Sequence, residues 1–375
     1  MTIILKVGIF FCNCIYALCK LLPVRKKVTF LSRQSNRPSV DIDMLSDKIQ
    51  SEHPDFQTVL LCKRLESGLL ARLGYCFHML RQMYHLATSQ IVILDSYAIL
   101  VSILFHRKTL LVVQMWHSVG TMKKFGYSIL DMPEGSSSKL ARAMKMHANY
   151  DYILAASEAY KPHLSEGFGY PLSKIETYPL PRVELLESAD YAQAVREKVY
   201  AVYPRLKDRE TILYAPTFRK GEDRQFAEAA AALANTIDPE KYNLVIKAHP
   251  LADFQLTHPS ALVDTAFSSF DMLFISDHVI SDFSCIIYEA AILRRPLYLY
   301  TYDYEHYLKT RDIYMDYKAE MPGPICSNAA DIARAIEQHA CDPAEVARFA
   351  TKYVTPRSCH ETRDIVDFLF SQKKR

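Results

Sequence analysis

The chain has 375 residues, of which half are apolar and 23% are charged, and its formal net charge at pH 7 is +3. This length predicts two domains, each able to bury a core, and this composition excludes a disordered chain or a polytopic membrane protein. The small net charge argues against a field that gathers nucleic acid, and we expect no nucleic-acid partner.

The first 22 residues are apolar apart from three polar interruptions, Lys6, Asn13 and Lys20. The charge-free stretch between the two lysines is shorter than the roughly 20 residues that a spanning helix needs, and no small-residue cleavage site follows it. Because residues 25–27 are basic, the segment 1–22 is predicted to be an interfacial helix that associates with a membrane surface. A buried first helix is the alternative.

Short apolar runs alternate with amphipathic stretches along the rest of the chain, which is typical of parallel βαβ units. In the first half, the runs predict six strands: Lys27–Leu31, Thr58–Cys62, Gln90–Leu94, Leu110–Val113, Tyr152–Ala155 and Lys174–Tyr178. A helical stretch near residues 185–203 follows, and then four more predicted strands: Thr211–Tyr214, Leu244–Lys247, His278–Ser281 and Pro296–Tyr300. We place the boundary near Val183, which predicts lobes at 23–183 and 184–375.

The predicted fold class is α/β, with two doubly wound, Rossmann-like lobes that face a cleft. In such sheets, ligands bind at the carboxyl ends of the strands. Glycines number only ten, and neither G-x-G-x-x-G nor G-x-x-x-x-G-K-[ST] occurs, so a phosphate site must be built without a glycine-rich loop. Nine cysteines without a C-x-x-C pair are typical of reduced thiols and indicate a cytosolic environment.

Side chains that could take part in catalysis follow four of the predicted strands. The first group is Gln114-Met115-Trp116-His117, directly after an apolar run. His117 is a candidate general base because an imidazole titrates near neutral pH and a strand end points it toward a ligand. A histidine that only packs against Trp116 is the alternative.

The second and third groups follow strands of the second lobe. Thr217 and Arg219, in LYAPTFR, offer a hydroxyl and a planar guanidinium that suit phosphate. Lys247 and His249 end the next strand in IKAHP. The dipeptide His258-Pro259 repeats part of this pattern without a preceding strand, so we assign it no role.

The fourth group is ISDFSCIIYEA, in which a strand passes through Asp282, Ser284 and Cys285 into a helix. Backbone N–H groups at such a helix start favour an anion, and the Ser284 hydroxyl adds a donor. Glu289, one turn further on, could accept hydrogen bonds from ribose hydroxyls. An ordinary capped helix with a buried glutamate is the alternative.

Together and in this order, these segments resemble the CDP-glycerol glycerophosphotransferase family, the primases and polymerases of teichoic acid synthesis. The resemblance rests on QMWHSVGTMKKFG, LYAPTFR, IKAHP, ISDFSCIIYEA and RRPLYLYTYDYEHY, and it extends from about residue 20 to the carboxyl end. It implies two lobes in a glycosyltransferase-B-like arrangement and a peripheral location on the cytoplasmic face of the cell membrane.

Two positions depart from the pattern of that family. Ser118 stands where the family usually has glycine, and a positive φ would be costly for a serine there. Cys285 stands where the family usually has a second serine, so the backbone N–H is kept but a hydroxyl donor is lost.

The resemblance implies transfer of a polyol phosphate from a CDP-activated donor to a hydroxyl of a membrane-linked glycolipid or polymer. CDP-glycerol is the first expectation for the donor and CDP-ribitol the second. His117 is assigned as the base and His249, with Arg219, as the group that stabilises the pyrophosphate, although the sequence leaves the two histidines interchangeable. The implied substrate-binding residues are Thr217, Arg219, Lys247, Asp282, Ser284, Cys285 and Glu289, with Asp282 orienting its loop. No metal ligands are assigned, and a divalent-metal requirement stays open.

Two other functions fit the same pattern. A nucleotide-sugar glycosyltransferase or epimerase would have similar lobes and a similar glutamate in its second lobe. A catalytically silent membrane scaffold could keep the fold, but the presence of both His117 and His249 argues against it.

Overall fold

The computed structural model describes residues 2–66, 68–219, 221, 223–248, 256–356 and 358–374. The chain forms two compact units. The first comprises Met1–Ser118, Lys124–Glu184 and Pro356–Arg375, and the second comprises Val119–Lys123 and Leu185–Thr355. Each unit contains a six-stranded parallel sheet, which confirms the predicted α/β class.

The first unit is built on six strands: β1 (Lys27–Ser32), β2 (Gln57–Cys62), β3 (Ile91–Leu94), β4 (Leu111–Gln114), β5 (Tyr152–Ala155) and β6 (Ile175–Thr177). Their order in the sheet is β2-β1-β3-β4-β5-β6. Its helices are α1 (Thr2–Cys19), α2 (Val40–Glu52), α3 (Leu69–Thr88), α4 (Ile99–Ile103), α5 (Ser138–Ala143), α6 (Lys161–Phe168) and α16 (Glu361–Ser371), with 3₁₀ turns at Gly126–Ile129, Glu158–Tyr160 and Leu172–Lys174. Helix α7 (Arg182–Glu187) contains the junction between the units.

The second unit is built on β7 (Glu210–Tyr214), β8 (Tyr242–Ile246), β9 (Ala261–Val263), β10 (His278–Ser281), β11 (Leu297–Tyr300) and β12 (Ile325–Cys326). Their order is β12-β11-β10-β7-β8-β9. Its helices are α8 (Ala189–Val202), α9 (Asp223–Thr236), α10 (Ser269–Leu273), α11 (Ile286–Ile292), α12 (Tyr304–Thr310), α13 (Tyr317–Glu320), α14 (Ala329–Glu337) and α15 (Pro343–Tyr353), with a 3₁₀ turn at Pro204–Lys207.

Each of the ten predicted strands overlaps an observed strand. They were detectable because strands buried on both faces are continuous apolar runs, as in β1, β3 and β4, where every residue is buried. Strands β9 and β12 were not predicted, because three and two residues are too few for a pattern. The strand order reverses once in each sheet, between β1 and β3 and between β7 and β10, and ligands bind beside such points.

The carboxyl-terminal helix α16 belongs to the first unit, which differs from the predicted division into 23–183 and 184–375. Its residues Ile365, Val366 and Leu369 are buried in the core that β1, β3, β4 and α2 form. An amphipathic helix shows which of its faces is buried but not against which sheet, so the sequence could not assign α16 to a unit.

Helix α1 covers most of the segment predicted to be interfacial. Within the part of the chain that the structure describes, no helix combines the length and the apolar character needed to cross a membrane.

Candidate active site

His117 lies in the loop after β4, at the carboxyl edge of the first sheet. Its Nδ1 atom is 2.9 Å from the carbonyl oxygen of Asp95 and 3.2 Å from the side-chain amide nitrogen of Gln34. A carbonyl oxygen can only accept, so the shorter contact, with Asp95, places the proton of the neutral ring on Nδ1. The lone pair of neutral His117 is therefore on Nε2, which is the atom that a general base would use.

Trp116, directly before His117, has a strained backbone conformation. Trp116 has a φ of 63°, a left-handed conformation that costs a bulky residue about 1–3 kcal/mol. Its backbone N–H donates to Oε1 of Gln114 at 2.9 Å, and its indole stacks on Phe125 with a centroid distance of 4.6 Å. The strain expected at Ser118 is thus found two residues earlier, since Ser118 does not have a positive φ. Serine is therefore accommodated without that cost.

The ring of His117 also lies 4.2 Å from the ring of Trp116. His117 therefore packs against Trp116, as the alternative interpretation expected, and it also has a defined tautomer. The indole restricts the imidazole while the Asp95 carbonyl determines which nitrogen can accept a proton.

Asp95 follows β3 directly and is 1% exposed. Neither of its carboxylate oxygens has a hydrogen-bond partner among the described residues. Burial raises the pKa of Asp95 to about 6. Sequence reasoning missed this residue, although its place directly after a strand was the same signal that identified His117.

In the second unit, Arg219 lies in the loop after β7 and is 6% exposed. Its Nη1 atom forms an ion pair of 2.8 Å with Asp282, and its Nε and Nη2 atoms donate to the carboxylate of Asp303. Nη1 also donates to the carbonyl of Thr217 at 3.0 Å. Burial lowers the pKa of Arg219, but the two carboxylates outweigh this effect and the net shift is upward. Because all three nitrogens face protein partners, this geometry favours a positioning role over direct phosphate binding.

Asp282 is fully buried and joins three segments of the second unit. Its Oδ1 accepts hydrogen bonds from the backbone N–H groups of Thr217, at 2.8 Å, and Phe283, at 2.6 Å. Its carbonyl oxygen accepts from the hydroxyl of Tyr317 at 2.6 Å. These contacts support the predicted loop-orienting role of Asp282.

The remaining predicted donor ligands lie around the same strands. The Oγ1 atom of Thr217 is buried and has no hydrogen-bond partner in the described part of the chain. Ser284 and Cys285 lie between β10 and α11, where the Ser284 hydroxyl is 3.5 Å from the N–H of Ile286. Glu289 lies on α11, one turn further along, and is 8% exposed. Because β7 and β10 are neighbours, the structure brings Thr217 and Ser284 to one edge of the sheet.

Lys247 follows β8 and is buried. Its ammonium donates to the carboxylate of Asp264 at 2.7 Å, to the carbonyl of Asp264 at 2.8 Å and to the carbonyl of Phe267 at 2.6 Å. An ammonium has three protons, and all three are used here. Direct contact between Lys247 and a substrate is therefore not favoured by this geometry. His249, two residues further on, lies outside the described residues, and its role stays a prediction.

Lys123 was not selected from the sequence, although it lies within the quoted segment QMWHSVGTMKKFG. Residues 119–123 belong to the second unit, where Lys123 forms an antiparallel bridge with Ile313 and the Met122 carbonyl accepts from the N–H of Tyr314 at 2.8 Å. Burial lowers the pKa of Lys123, which interacts electrostatically with Cys285, Asp282 and Arg219. Unlike Arg219 and Lys247, it has no ion pair with a carboxylate among the described residues.

Sequence reasoning also missed the two acidic residues that hold these cations. Asp303 follows β11 and was part of the quoted segment RRPLYLYTYDYEHY, so its position after a strand was a usable signal. Asp264 follows β9, which was itself not predicted. Among the described residues, no cluster of three or more His, Cys, Asp or Glu side chains could hold a metal ion.

Two doubly wound units with polar carboxyl edges define an α/β protein of the glycosyltransferase-B-like class. The chain belongs to the CDP-Glycerol:Poly(glycerophosphate) glycerophosphotransferase family, whose model matches residues 15–371. It is accordingly an enzyme of the glycerophosphotransferase type. This membership supports the phosphotransferase prediction over the nucleotide-sugar enzyme and over the silent scaffold.

Relatives and a solved structure agree with this assignment. The teichoic acid ribitol-phosphate primase of Bacillus spizizenii is 31% identical over 369 residues, which cover 94% of this chain and 93% of the relative. The teichoic acid glycerol-phosphate primase of Bacillus subtilis is 26% identical over 266 residues, covering 69% of this chain and 68% of that protein. The structure of the wall teichoic acid polymerase TagF matches with a TM-score of 0.75 at 17% identity, covering 98% of this chain and 94% of that one, which shows a shared fold.

The buried carboxyl group of Asp95 predicts a pH dependence of stability. Its pKa in the folded protein is about 6, above the usual 3.8, so the folded state binds this proton more tightly than the unfolded state. Its effect on stability is then most favourable below about pH 4 and is lost as the pH rises to about 6, by on the order of 2–3 kcal/mol. Asp95→Asn should remove this decline.

The measurement is urea unfolding at several pH values, followed by the fluorescence of the single tryptophan, which lies in the first unit. Asp47→Asn, at an exposed carboxylate on α2 of the same unit, is the control and should leave the decline in place. A decline of equal size in Asp95→Asn and the parent protein would contradict the assignment.

Proposed function

We propose that this enzyme transfers a polyol phosphate from a CDP-linked donor to a hydroxyl of a membrane-linked glycolipid or polymer in teichoic acid synthesis. The observation that carries the proposal is the family match over residues 15–371, which includes all four groups of candidate residues at the strand ends. In this proposal the second unit binds the donor and the first unit supplies the base.

The donor phosphates are assigned to the edge formed by β7 and β10. Three groups are the proposed hydrogen-bond donors: Oγ1 of Thr217, which has no partner in the described part of the chain, the hydroxyl of Ser284 and the backbone N–H of Cys285. Glu289 is assigned to the ribose hydroxyls. Asp282 and Arg219 hold the two loops in place rather than contacting the phosphates themselves.

A pyrophosphate at this edge needs a cation, and Arg219 with its partners Asp282 and Asp303 cannot supply one. Arg219 contacts two carboxylates, so the cluster has a net negative charge that would repel a pyrophosphate. Lys247 is occupied in the same way by Asp264. Lys123, which interacts electrostatically with Cys285, is therefore the proposed cation for the donor pyrophosphate.

Replacing Lys123 should affect donor binding, whereas replacing Lys247 should affect stability. Lys123→Met should weaken binding of the CDP-polyol by about tenfold to a hundredfold, the worth of a charge-assisted hydrogen bond, with little change in stability. Lys247→Met should leave Asp264 as a buried carboxylate without its cation and lower the free energy of unfolding by about 3–5 kcal/mol. Titration calorimetry and urea unfolding measure the two effects, and unchanged donor affinity in Lys123→Met would refute its role.

His117 is the proposed general base in an in-line phosphoryl transfer. As the acceptor hydroxyl oxygen forms a bond with the distal phosphorus of the donor, its proton passes to Nε2 of His117. The bond from that phosphorus to the bridging oxygen breaks, and CMP leaves with the electron pair. His249 remains the proposed group that stabilises the departing CMP, on the strength of the sequence pattern IKAHP.

His117→Ala should lower turnover by roughly a hundredfold to ten-thousandfold while donor affinity stays within about twofold of the parent protein. The reason is that the proton is lost only in the transition state, so donor binding does not depend on the base. His258→Ala, which removes a histidine from outside the proposed site, is the control and should retain full turnover. Turnover of His117→Ala at the parent rate would rule out the base assignment.

The comparisons favour ribitol over glycerol as the polyol. The ribitol-phosphate primase is 31% identical over 94% of this chain, whereas the glycerol-phosphate primase is 26% identical over 69% of it. We therefore place CDP-ribitol ahead of CDP-glycerol, which reverses the order expected from the sequence resemblance.

Mass spectrometry of products made from a panel of CDP-glycerol, CDP-ribitol and UDP-sugars with a synthetic lipid-linked acceptor tests the reaction. One polyol phosphate should be added to the acceptor for each CMP released. The kcat/KM for CDP-ribitol should exceed that for CDP-glycerol by about tenfold or more, because groups that pair with the extra hydroxyls would be left unpaired by glycerol. Turnover of a UDP-sugar without turnover of either CDP-polyol would support the nucleotide-sugar alternative instead.

The acceptor is proposed to reside in the cytoplasmic leaflet, with the enzyme bound peripherally to the membrane. Segment 1–22 is the proposed interfacial element, in line with its apolar sequence and the basic residues that follow it.

A further inference from the structure

The loops after β1, β3 and β4 meet beside the proposed base. The backbone N–H of Arg33, which directly follows β1, donates to the hydroxyl of Ser96 at 3.0 Å, and its Nη1 atom donates to the carbonyl of Tyr97 at 3.2 Å. The carbonyl of Asp95, which directly follows β3, contacts Nδ1 of His117. Arg33 and Asp95 therefore follow the two strands between which the order of the first sheet reverses, and ligands bind beside such points.

Arg33 and Asp95 both have buried polar atoms that the protein does not pair. Nε of Arg33 is buried and has no hydrogen-bond partner among the described residues, and the same is true of both carboxylate oxygens of Asp95. In that part of the chain, the two side chains form no ion pair with each other or with a third residue. A buried polar atom without a partner costs about 1–3 kcal/mol and calls for an explanation, which a bound ligand would supply.

The loops around these two side chains carry a net positive charge. Together, the loops after β1, β2 and β3 contain four cations and two carboxylates, those of Asp95 and Glu66. The cations are Arg33, Arg37, Lys63 and Arg64. Within the described residues none of the four forms an ion pair, and the ammonium of Lys63 donates to the carbonyl of Gly74 at 3.2 Å. This edge of the sheet therefore favours an anionic ligand over a neutral one.

The unpaired atoms define the chemistry of a ligand that would satisfy them. A carboxylate only accepts hydrogen bonds, so Asp95 needs a ligand with donors such as hydroxyl groups. A guanidinium only donates and suits phosphate oxygens, so Arg33 needs an anionic group. A polyol phosphate has both kinds of group a few bonds apart. A sugar without a phosphate would satisfy Asp95 and leave Arg33 without a partner.

We propose that Arg33 and Asp95 bind the end of an acceptor that already carries a polyol phosphate, the guanidinium on its phosphodiester and the carboxylate on its terminal hydroxyls. This inference rests on the proposed function and adds two acceptor-binding residues to it. The carbonyl of Asp95 fixes the ring of His117, so the carboxylate of the same residue brings an acceptor hydroxyl toward the proposed base.

The donor also contains a polyol phosphate, and the position of His117 favours the acceptor. The proposed base takes its proton from the acceptor hydroxyl, and its Nδ1 atom lies 3.2 Å from the side-chain amide of Gln34, the residue after Arg33. The reacting hydroxyl therefore belongs at the same edge of the sheet as Arg33 and Asp95. The donor phosphates are assigned to the second unit, so the two substrates use different groups.

Titration calorimetry with two soluble acceptors, in the absence of donor, tests the proposal. Both are synthetic glycosides that end in glycerol, which is joined through a phosphodiester in one and through an ether in the other. Arg33→Gln should weaken binding of the phosphodiester acceptor by about tenfold to a hundredfold and change binding of the ether by less than about twofold, because only the first carries the anion. Asp95→Asn should weaken binding of both by about tenfold at about pH 8, where the carboxylate is ionised, because both end in hydroxyls.

Two variants of the same unit are matched controls. Arg363→Gln, at an exposed arginine on α16, and Asp47→Asn, at an exposed carboxylate on α2, should bind both acceptors like the parent protein. The affinity for the CDP-polyol should be unchanged in all four variants.

Equal weakening of both acceptors in Arg33→Gln, or unchanged binding of both, would overturn the proposal, since a purely structural arginine does not distinguish a phosphodiester from an ether. So would unchanged binding of both acceptors in Asp95→Asn. Weaker binding of the CDP-polyol in Arg33→Gln would also overturn it, because the donor would then use this edge. If the parent binds the phosphodiester acceptor through Arg33 but transfers nothing from a CDP-polyol, the proposed function fails and the acceptor-binding role stands.

Discussion

The guanidinium of Arg219, buried against the carboxylates of Asp282 and Asp303, is the contact that organises the second unit around its candidate site. A buried ion pair contributes little net stability over an apolar pair, but losing one member leaves a charge whose desolvation is uncompensated. Each of the three residues follows a different strand, so keeping them together fixes the loops after β7, β10 and β11 relative to one another.

The same contact determines which nearby groups remain available to a ligand. Asp282 also accepts a hydrogen bond from the backbone N–H of Thr217, whose hydroxyl is buried and has no partner among the described residues. Arg219 is paired with two carboxylates, so a cation that meets an anionic donor must come from elsewhere. The buried network thus accounts both for the shape of the phosphate-facing edge and for the proposed importance of Lys123.

In the first unit, burial acts on the pKa of a carboxyl group, whereas in the second unit it encloses an ion pair. Within the described part of the chain no ion pair stabilises Asp95, whose pKa is raised by burial, and its backbone carbonyl rather than its carboxylate contacts His117. The strained Trp116 is retained through aromatic packing with Phe125 and through a hydrogen bond to Gln114. Local strain of this kind is tolerated where the surrounding contacts define a single geometry, and here that geometry fixes the tautomer of the proposed base.

The sequence by itself determined ten of the twelve strands that the structure describes, the α/β class and the family. Apolar runs buried on both faces are visible without a structure, and the motifs around His117, Arg219 and Ser284 are local in the chain. It also identified residues 1–22 as a segment that could contact a membrane.

Only the tertiary structure decided how these residues are used. Whether Arg219 and Lys247 are free to bind phosphate depends on Asp303 and Asp264, which lie 84 and 17 residues away in the chain. The unit to which α16 belongs depends on which sheet its apolar face meets, and Arg33 and Asp95 lie beside His117 because β1, β3 and β4 are neighbours in the first sheet. Pairing and burial are properties of long-range contacts, and a local pattern of residue types does not contain them.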